Sequence, residues 1–245
     1  MNDDTTHKRT NTWIDDQSAK RTRFYLDEAD EFLVDRQTIR TVLIRLFGYR
    51  FEGRSGLDVL DLGCGSGFLT AGIHDVYPDN SFTLLDGSRE MLDQAREHFP
   101  GNNFRFVRSS FEEYLQAPME RFDFICSSNA IHHLALTDKL RLYQRIFDAL
   151  SPGGMFLNID VVLPPSDLCE EWQFNLWRDW MRERQHQKGS DNAGRYDALP
   201  QGYKQKEENQ PSGLGEQMSA LREVGYQNVD CYYKHSIFAL FGGTK

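Results

Sequence analysis

The chain has 245 residues, 39% hydrophobic and 27% charged, with a formal net charge of −9, which is ordinary globular composition for one large α/β domain or two small ones. Its Lys and Arg residues are scattered rather than clustered, so no phosphate-tracking face is expected and nucleic acid is not an expected partner. No apolar run approaches the ~18 residues of a membrane span, and Met1–Lys20 lacks the apolar stretch of a signal peptide. Residues 1–17 read as a frayed polar end. From about Ser18 to Phe47 apolar residues recur at three- and four-residue steps (Phe24, Leu26, Phe32, Leu33, Ile39, Val42, Leu43, Leu46, Phe47), which predicts helix. Gly48 and the stretch from Glu52 to Gly56 are expected to end it.

Strands and helices then alternate. Leu57–Asp61 reads as a buried strand and Gly67–Val76 as a helix stopped before Pro78. Ser81–Asp86 reads as a second strand, with Ser88–Phe99 a helix capped by Ser88. Asn103–Arg108 and Phe122–Ser127 read as strands three and four. Asp138–Leu150 is an amphipathic helix closed by Ser151-Pro152-Gly153-Gly154, and Met155–Val162 a fifth strand. Such alternation predicts a mainly parallel sheet covered on both faces. Pro164-Pro165 interrupts it. Residues 164–212 hold Trp172, Trp177 and Trp180, then a polar Gly/Asn/Gln-rich stretch. A helix near Leu214–Val224 and two strands, Asn228–Tyr233 and Ser236–Phe241, complete the chain as an antiparallel hairpin turning at Lys234-His235.

The segment that carries chemistry is Val59-Leu60-Asp61-Leu62-Gly63-Cys64-Gly65-Ser66-Gly67. It joins a strand to a helix, where glycines allow positive φ and close approach of a ligand to the backbone. Two readings compete. A dinucleotide site wants GxGxxG, and Phe68 stands where its third glycine would be. The glycines run GxGxG instead, with Asp61 just upstream, which suits the ammonium of S-adenosylmethionine (SAM), a cofactor without phosphates. Asp86 stands 25 residues past Asp61, where a carboxylate can accept both ribose hydroxyls. Met91 follows, placed to lie against adenine.

Together these segments resemble the class I SAM-dependent methyltransferase family, in its small-molecule "methyltransferase domain" branch. Val59–Gly67 is similar to the family's first motif and Phe82–Leu92 to its acidic second one. Phe122–Leu134, which contains Asn129, His132 and His133, is similar to the strand-four motif, and Leu150–Gly154 to the turn before strand five. The resemblance covers about residues 57–161 and 214–243. It implies a doubly wound, Rossmann-like seven-stranded sheet of order 3-2-1-4-5-7-6. Outside the matched segments, residues 1–50 read as an N-terminal helical cap on a cofactor domain over 51–245, with an inserted lid at about 163–213.

By the same resemblance, Gly63 and Gly65 would contact the methionine part of SAM, Asp61 would orient its ammonium and Asp86 would hold the ribose. Ser110 and Phe111 would flank the adenine, and Asn129 would lie near the sulfonium. Many relatives carry Asp where Ser110 stands, which puts that contact in doubt. The implied activity is methyl transfer to O, N, S or C of a small-molecule acceptor, giving S-adenosylhomocysteine. An RNA- or protein-modifying methyltransferase and a SAM-binding protein that does not methylate (a carboxyl-SAM-forming enzyme or a regulator) stay open beside it.

Around that centre each residue has a plain alternative. His133 is the candidate base or substrate hydrogen-bonder beyond strand four, against simple packing for it and His132. Trp172, Leu176 and Trp180 share one helical face, which fits an aromatic lid, a packing stripe or a homodimer contact. Phe24, Tyr25 and Arg36 or Arg40 could cap the cofactor, or merely cover the sheet. Cys64 reads as structural, and Glu112-Glu113 as a solvated helix start. Cys64, Cys126, Cys169 and Cys231 form no CxxC pair, so no metal site is expected and reduced thiols in the cytoplasm are the simplest reading.

Overall fold

The computed structural model describes residues 19–189 and 194–245; the frayed end expected at residues 1–17 lies outside them. Helices α1 (Ala19–Phe32) and α2 (Arg36–Arg50) precede an alternating body. That body runs β1 (Asp58–Leu62), α3 (Phe68–Val76), β2 (Ser81–Asp86), α4 (Arg89–His98), β3 (Phe104–Arg108), α5 (Phe111–Gln116) and β4 (Phe122–Ser128). A 3-10 turn (Ile131–His133), α6 (Leu136–Ala149) and β5 (Leu150–Val161) follow. Helices α7 (Asp167–Gln187) and α8 (Leu199–Gln205) form an excursion before α9 (Leu214–Val224), β6 (Gln227–His235) and β7 (Phe238–Thr244).

The sheet order is β3-β2-β1-β4-β5-β7-β6. The first five strands of that order are parallel, and β7 runs antiparallel to β5 and β6. This is the doubly wound order implied by the resemblance, and the strand order reverses between β1 and β4 while the strands stay parallel. Both faces are buried, which explains the near-continuous apolar runs of the central strands. Val59, Phe124, Cys126, Leu157 and Leu240 meet Leu43, Phe47, Leu69 and Ile73 of α2 and α3 on one face. Leu60, Leu62, Ile125, Phe156 and Phe241 meet Leu142, Tyr143, Ile146 and Leu221 of α6 and α9 on the other. Leu163 and Gly213 bridge each other, so the chain leaves for α7 and returns from α8 at adjacent points.

The structure corrects four expectations. The helical pattern expected from about Ser18 to Phe47 divides into two helices, broken at Leu33–Asp35. Gly48 does not end α2; it makes room for Tyr77, whose hydroxyl would lie 2.1 Å from an added Cβ. The final hairpin turns at Ser236-Ile237 rather than Lys234-His235, because β6 reaches His235. On α7, Trp172 and Leu176 face outward (57% and 51% exposed), while Trp177 is buried (3% exposed) beside Phe174 and Met181. The face that packs inward is therefore one step around the helix from Trp172 and Leu176, which overturns the packing-stripe alternative for those two residues.

Asp35 causes the break after α1. It holds a left-handed backbone (φ 51°), which Asp tolerates better than most residues. That conformation turns its carboxylate inward, where it accepts from Trp180 Nε1 (3.0 Å), Tyr233 Oη (2.6 Å) and His235 Nδ1 (2.6 Å). Burial pushes this carboxyl up, but the bonds from Tyr233, His235 and Trp180 outweigh it and hold it below the ordinary carboxylate value. One side chain thus ties the α1–α2 corner to α7 and to the edge strand. Asp35→Ala is predicted to cost about 2–4 kcal/mol of stability, and Asp35→Asn less, because an amide oxygen still accepts. Urea unfolding followed by circular dichroism measures both, and an alanine variant as stable as the parent would contradict this role.

Candidate functional site

The glycine turn is built by the end of β2. Leu85 O accepts from Gly63 N (2.7 Å) and Cys64 N (3.0 Å), and Asp86 Oδ2 accepts from Gly65 N (2.8 Å). Gly63 has φ 71°, and a Cβ there would lie 2.5 Å from Ala130 Cβ, so β1 and the β4 end close together only around a glycine. Gly65 has φ 55° but faces open space, with Met91 Sδ the nearest atom to an added Cβ at 3.8 Å. The first glycine serves packing; the second leaves a backbone surface bare toward the cleft.

Two carboxylates flank this turn. Asp86 Oδ1 accepts from Ser88 N (2.8 Å), while Ser88 Oγ caps α4 by accepting from Met91 N. Burial pushes the Asp86 carboxyl up, against the two backbone N–H bonds that favour its charge. Asp61 Oδ2 accepts from Thr70 Oγ1 (2.8 Å) and Thr70 N (3.2 Å). Burial, with a smaller contribution from the Asp86 charge, lifts Asp61 to about 6 despite the Thr70 bonds. Two desolvated carboxylates side by side make a region that favours a cation. Burial also pushes the Cys64 thiol up, with the Asp86 charge adding to it; a protonated, buried thiol is no nucleophile, in keeping with its structural reading.

Beyond β4, Asn129 adopts φ 52°, an uncommon conformation for a non-glycine residue. Its N–H bonds Ile159 O and its Nδ2 bonds Ser128 Oγ, while Oδ1 is buried without a partner. His132 Nδ1 lies 2.6 Å from Asp160 Oδ1, with both side chains buried. His133 Nδ1 lies 3.1 Å from the Glu208 carbonyl. A carbonyl only accepts, so Nδ1 carries the proton and Nε2 keeps its lone pair. Burial, helped by the neighbouring His132, pushes His133 down to about 3, and it stays neutral at ordinary pH.

These parts enclose one cleft of about 860 Å³ beyond the carboxyl ends of β1 and β4. Asp61, Gly63, Gly65, Asp86, Met91, Ser110, Phe111, Asn129 and His133 all line it, so every site residue singled out in the sequence meets in one space. Ser110 does so with its hydroxyl already engaged. Ser110 Oγ accepts from Glu113 N (3.2 Å) and Glu113 Oε2 accepts from Ser110 N (2.8 Å), a capping box at the start of α5. Of the cap residues named in the sequence, Tyr25 and Arg36 reach the cleft. The Arg36 guanidinium lies 3.6 Å from the Phe68 ring centroid and bonds Asp30. Sequence reasoning missed residues Lys206, Glu207, Glu208 and Gln210, which form the far wall. They lie in a polar stretch with no periodicity, held there by the long-range bonds of Glu208 and Gln210.

Among the described residues, no helix is long and apolar enough to cross a membrane, and no group of three side chains is placed to hold a metal ion. A family described as "Methyltransferase domain" matches residues 59–154. The chain is 32% identical over 132 residues to the ubiquinone/menaquinone biosynthesis C-methyltransferase of Vibrio campbellii, covering 50% of each. It is 36% identical over 96 residues to the trans-aconitate 2-methyltransferase of Rhizobium leguminosarum bv. trifolii, covering 39% of this chain and 35% of that one. The chain thus spans half or less of the length of these curated relatives. Human N-acetylserotonin methyltransferase, solved in complex with SAM, superposes with a TM-score of 0.53 at 19% identity, covering 92% of this chain and 58% of that one. At that identity the likeness shows the fold alone.

The raised Asp61 value has a consequence for stability. The folded chain favours the protonated acid, so this contribution is complete below the unfolded-state value of about 3.9 and is lost as pH rises through about 6. Across that window it amounts to on the order of 3 kcal/mol. Asp61→Asn, which keeps an oxygen for Thr70, is predicted to flatten the fall in unfolding free energy between about pH 4 and 6. Urea titrations at several pH values test this, and parallel curves for parent and variant would rule it out.

Proposed function

We propose that this chain, whose residues 59–154 belong to the class I SAM-dependent methyltransferases and whose cofactor is SAM, transfers the SAM methyl group to a small-molecule acceptor and releases S-adenosylhomocysteine. The observation that carries this reading is the convergence of the glycine turn, Asp61, Asp86 and Asn129 on one cleft where the sheet order reverses. The residues present suit the cofactor. Gly65 leaves its backbone open to the cleft. Asp86 uses two backbone N–H partners of the roughly four lone-pair sites of a carboxylate, which leaves capacity for ribose hydroxyls. Asp61 and Asp86, both raised by burial, gain from a neighbouring cation. Asn129 Oδ1 is buried and unpartnered.

In this reading Gly63 and Gly65 receive the methionine part, with Asp61 orienting the ammonium, and Asp86 binds the ribose. Met91, Ser110 and Phe111 enclose the adenine, and Asn129 lies beside the sulfonium. When bound, SAM supplies a methyl group already activated by its sulfonium. The protein's share is then alignment of the acceptor and exclusion of water. His133, neutral and with its Nε2 lone pair unprotonated, accepts a hydrogen bond from the acceptor and orients it; so weak a base does not carry a proton away at neutral pH. Along the rest of the cleft the charged side chains are Glu112, Asp138, Glu207 and Glu208 against Arg36 and Lys206, a net negative lining. Such a wall repels polyanions, which supports an uncharged acceptor over a polycarboxylate or a nucleic acid.

Asp86→Ala is expected to weaken SAM binding at least tenfold, about 1.4 kcal/mol; unchanged affinity would remove the ribose assignment. Incubation with methyl-labelled SAM and a fractionated cell extract tests the acceptor class. Label is expected in the small-molecule fraction and to be lost with Asp86→Ala. Label confined to RNA or protein would overturn the small-molecule reading.

A further inference from the structure

Beneath the far wall of the cleft lies a buried charged cluster whose side chains do not line it. Asp160, near the end of β5, is 1% exposed, Lys139 on α6 is fully buried, and His132 is 7% exposed. Asp160 Oδ1 meets His132 Nδ1 at 2.6 Å and accepts from Val161 N at 2.9 Å. Burial pushes the Asp160 carboxyl up, but His132, the Val161 N–H and Lys139 outweigh it and keep it below the ordinary value. Burial lowers Lys139 to about 8, against the charges of Asp160 and Glu216, so it too stays charged at neutral pH. Desolvating charges in this way costs several kcal/mol per ion before pairing offsets it. The arrangement therefore needs a reason beyond filling space.

The partners of the cluster supply that reason. Lys139 Nζ donates to Gln210 O (2.5 Å) and Ser212 Oγ (2.9 Å). Gln210 N donates to His132 O (2.7 Å). The His132 ring lies 4.1 Å from that of His133, which itself bonds Glu208 O. Each of these hydrogen bonds joins the 131–139 segment to residues 208–212. Both sides line the cleft: His133, Leu134, Ala135 and Asp138 from one, and Lys206, Glu207, Glu208 and Gln210 from the other.

We propose that Asp160, acting through His132, together with Lys139 forms a buried positioning cluster that clamps residues 206–212 over the acceptor end of the cleft and sets the wall that the acceptor meets. These are positioning residues, since none of the three lines the cleft. The inference rests on the methyl-transfer reading for its functional meaning, but the clamp itself is independent of it. The cluster also lies apart from Gly63–Gly67 and Asp86, so its loss should affect the acceptor wall and leave cofactor affinity intact.

The test uses the full chain carrying Asp160→Asn, Lys139→Met or the milder Ser212→Ala. Hydrogen exchange is compared at amides 206–212 and at the β1 and β2 amides, with SAM affinity by calorimetry and the His133 imidazole followed by NMR. Wall amides are expected to exchange at least tenfold faster in the first two variants and about threefold faster in Ser212→Ala, whose smaller change guards against loss of fold. The β1 and β2 amides should be unchanged and SAM affinity within twofold. As water reaches His133, its titration should rise from about 3, with His132, Asp160 and Glu208 the titratable groups facing it. Unchanged wall exchange would overturn the proposal. So would a rise shared equally by β1 and β2, or a fall in SAM affinity, since a merely structural role predicts both. If the parent chain itself fails to bind SAM, the methyl-transfer reading fails while the exchange data still decide whether the clamp exists.

Discussion

The end of β2 organises the whole site through four backbone N–H groups. The Leu85 carbonyl takes those of Gly63 and Cys64, and the Asp86 carboxylate takes those of Gly65 and Ser88. A turn of three positive-φ glycines has little intrinsic preference for one shape; these bonds select it. They also fix where α3 and α4 begin, and so where the cleft opens between β1 and β4. The arrangement carries a tension. Asp86 must be buried to shape the turn, and burial raises its carboxyl, as it does that of Asp61. A cationic cofactor relieves that tension, so the feature that shapes the turn also defines what it favours.

The two halves into which the proposed function divides the cleft follow different rules. The cofactor half is backbone and short side chains on adjacent strand ends, held by bonds that span about twenty residues of sequence, as between Gly65 and Asp86. The acceptor half is assembled from segments some seventy residues apart, such as His133 with Glu208 and Lys139 with Ser212. Its wall hangs on an excursion between β5 and α9 that is anchored at its base by the Leu163–Gly213 bridge and on its flank by Trp177 and Asp35.

That division also explains how much was legible in the sequence. Val59–Gly67, Asp86 and the strand-four segment declare themselves through local pattern: an apolar run, a glycine spacing, an acid at a strand end. The mainly parallel sheet follows from the alternation, and its strand order from the resemblance alone. What stayed hidden rests on distant partners. Nothing near Asp35 announces a left-handed residue, although the apolar phase does slip between Leu33 and Ile39. Once α2 starts, Ile39, Leu43 and Phe47 step evenly as its buried face. Of the adjacent histidines, the sequence favoured His133 for the cleft, and it does line it; that His132 would turn inward to Asp160 depended on a β5 side chain 28 residues away. The outward turn of Trp172 and the inward turn of Trp177 likewise depend on what α7 packs against.

The central claim is that this cleft binds SAM and not a dinucleotide. Calorimetric titration of the purified chain with SAM, S-adenosylhomocysteine and NAD in parallel tests it most directly. The account predicts micromolar binding of the first two and none of NAD. Folded protein that binds NAD, or that leaves SAM unbound, would contradict it.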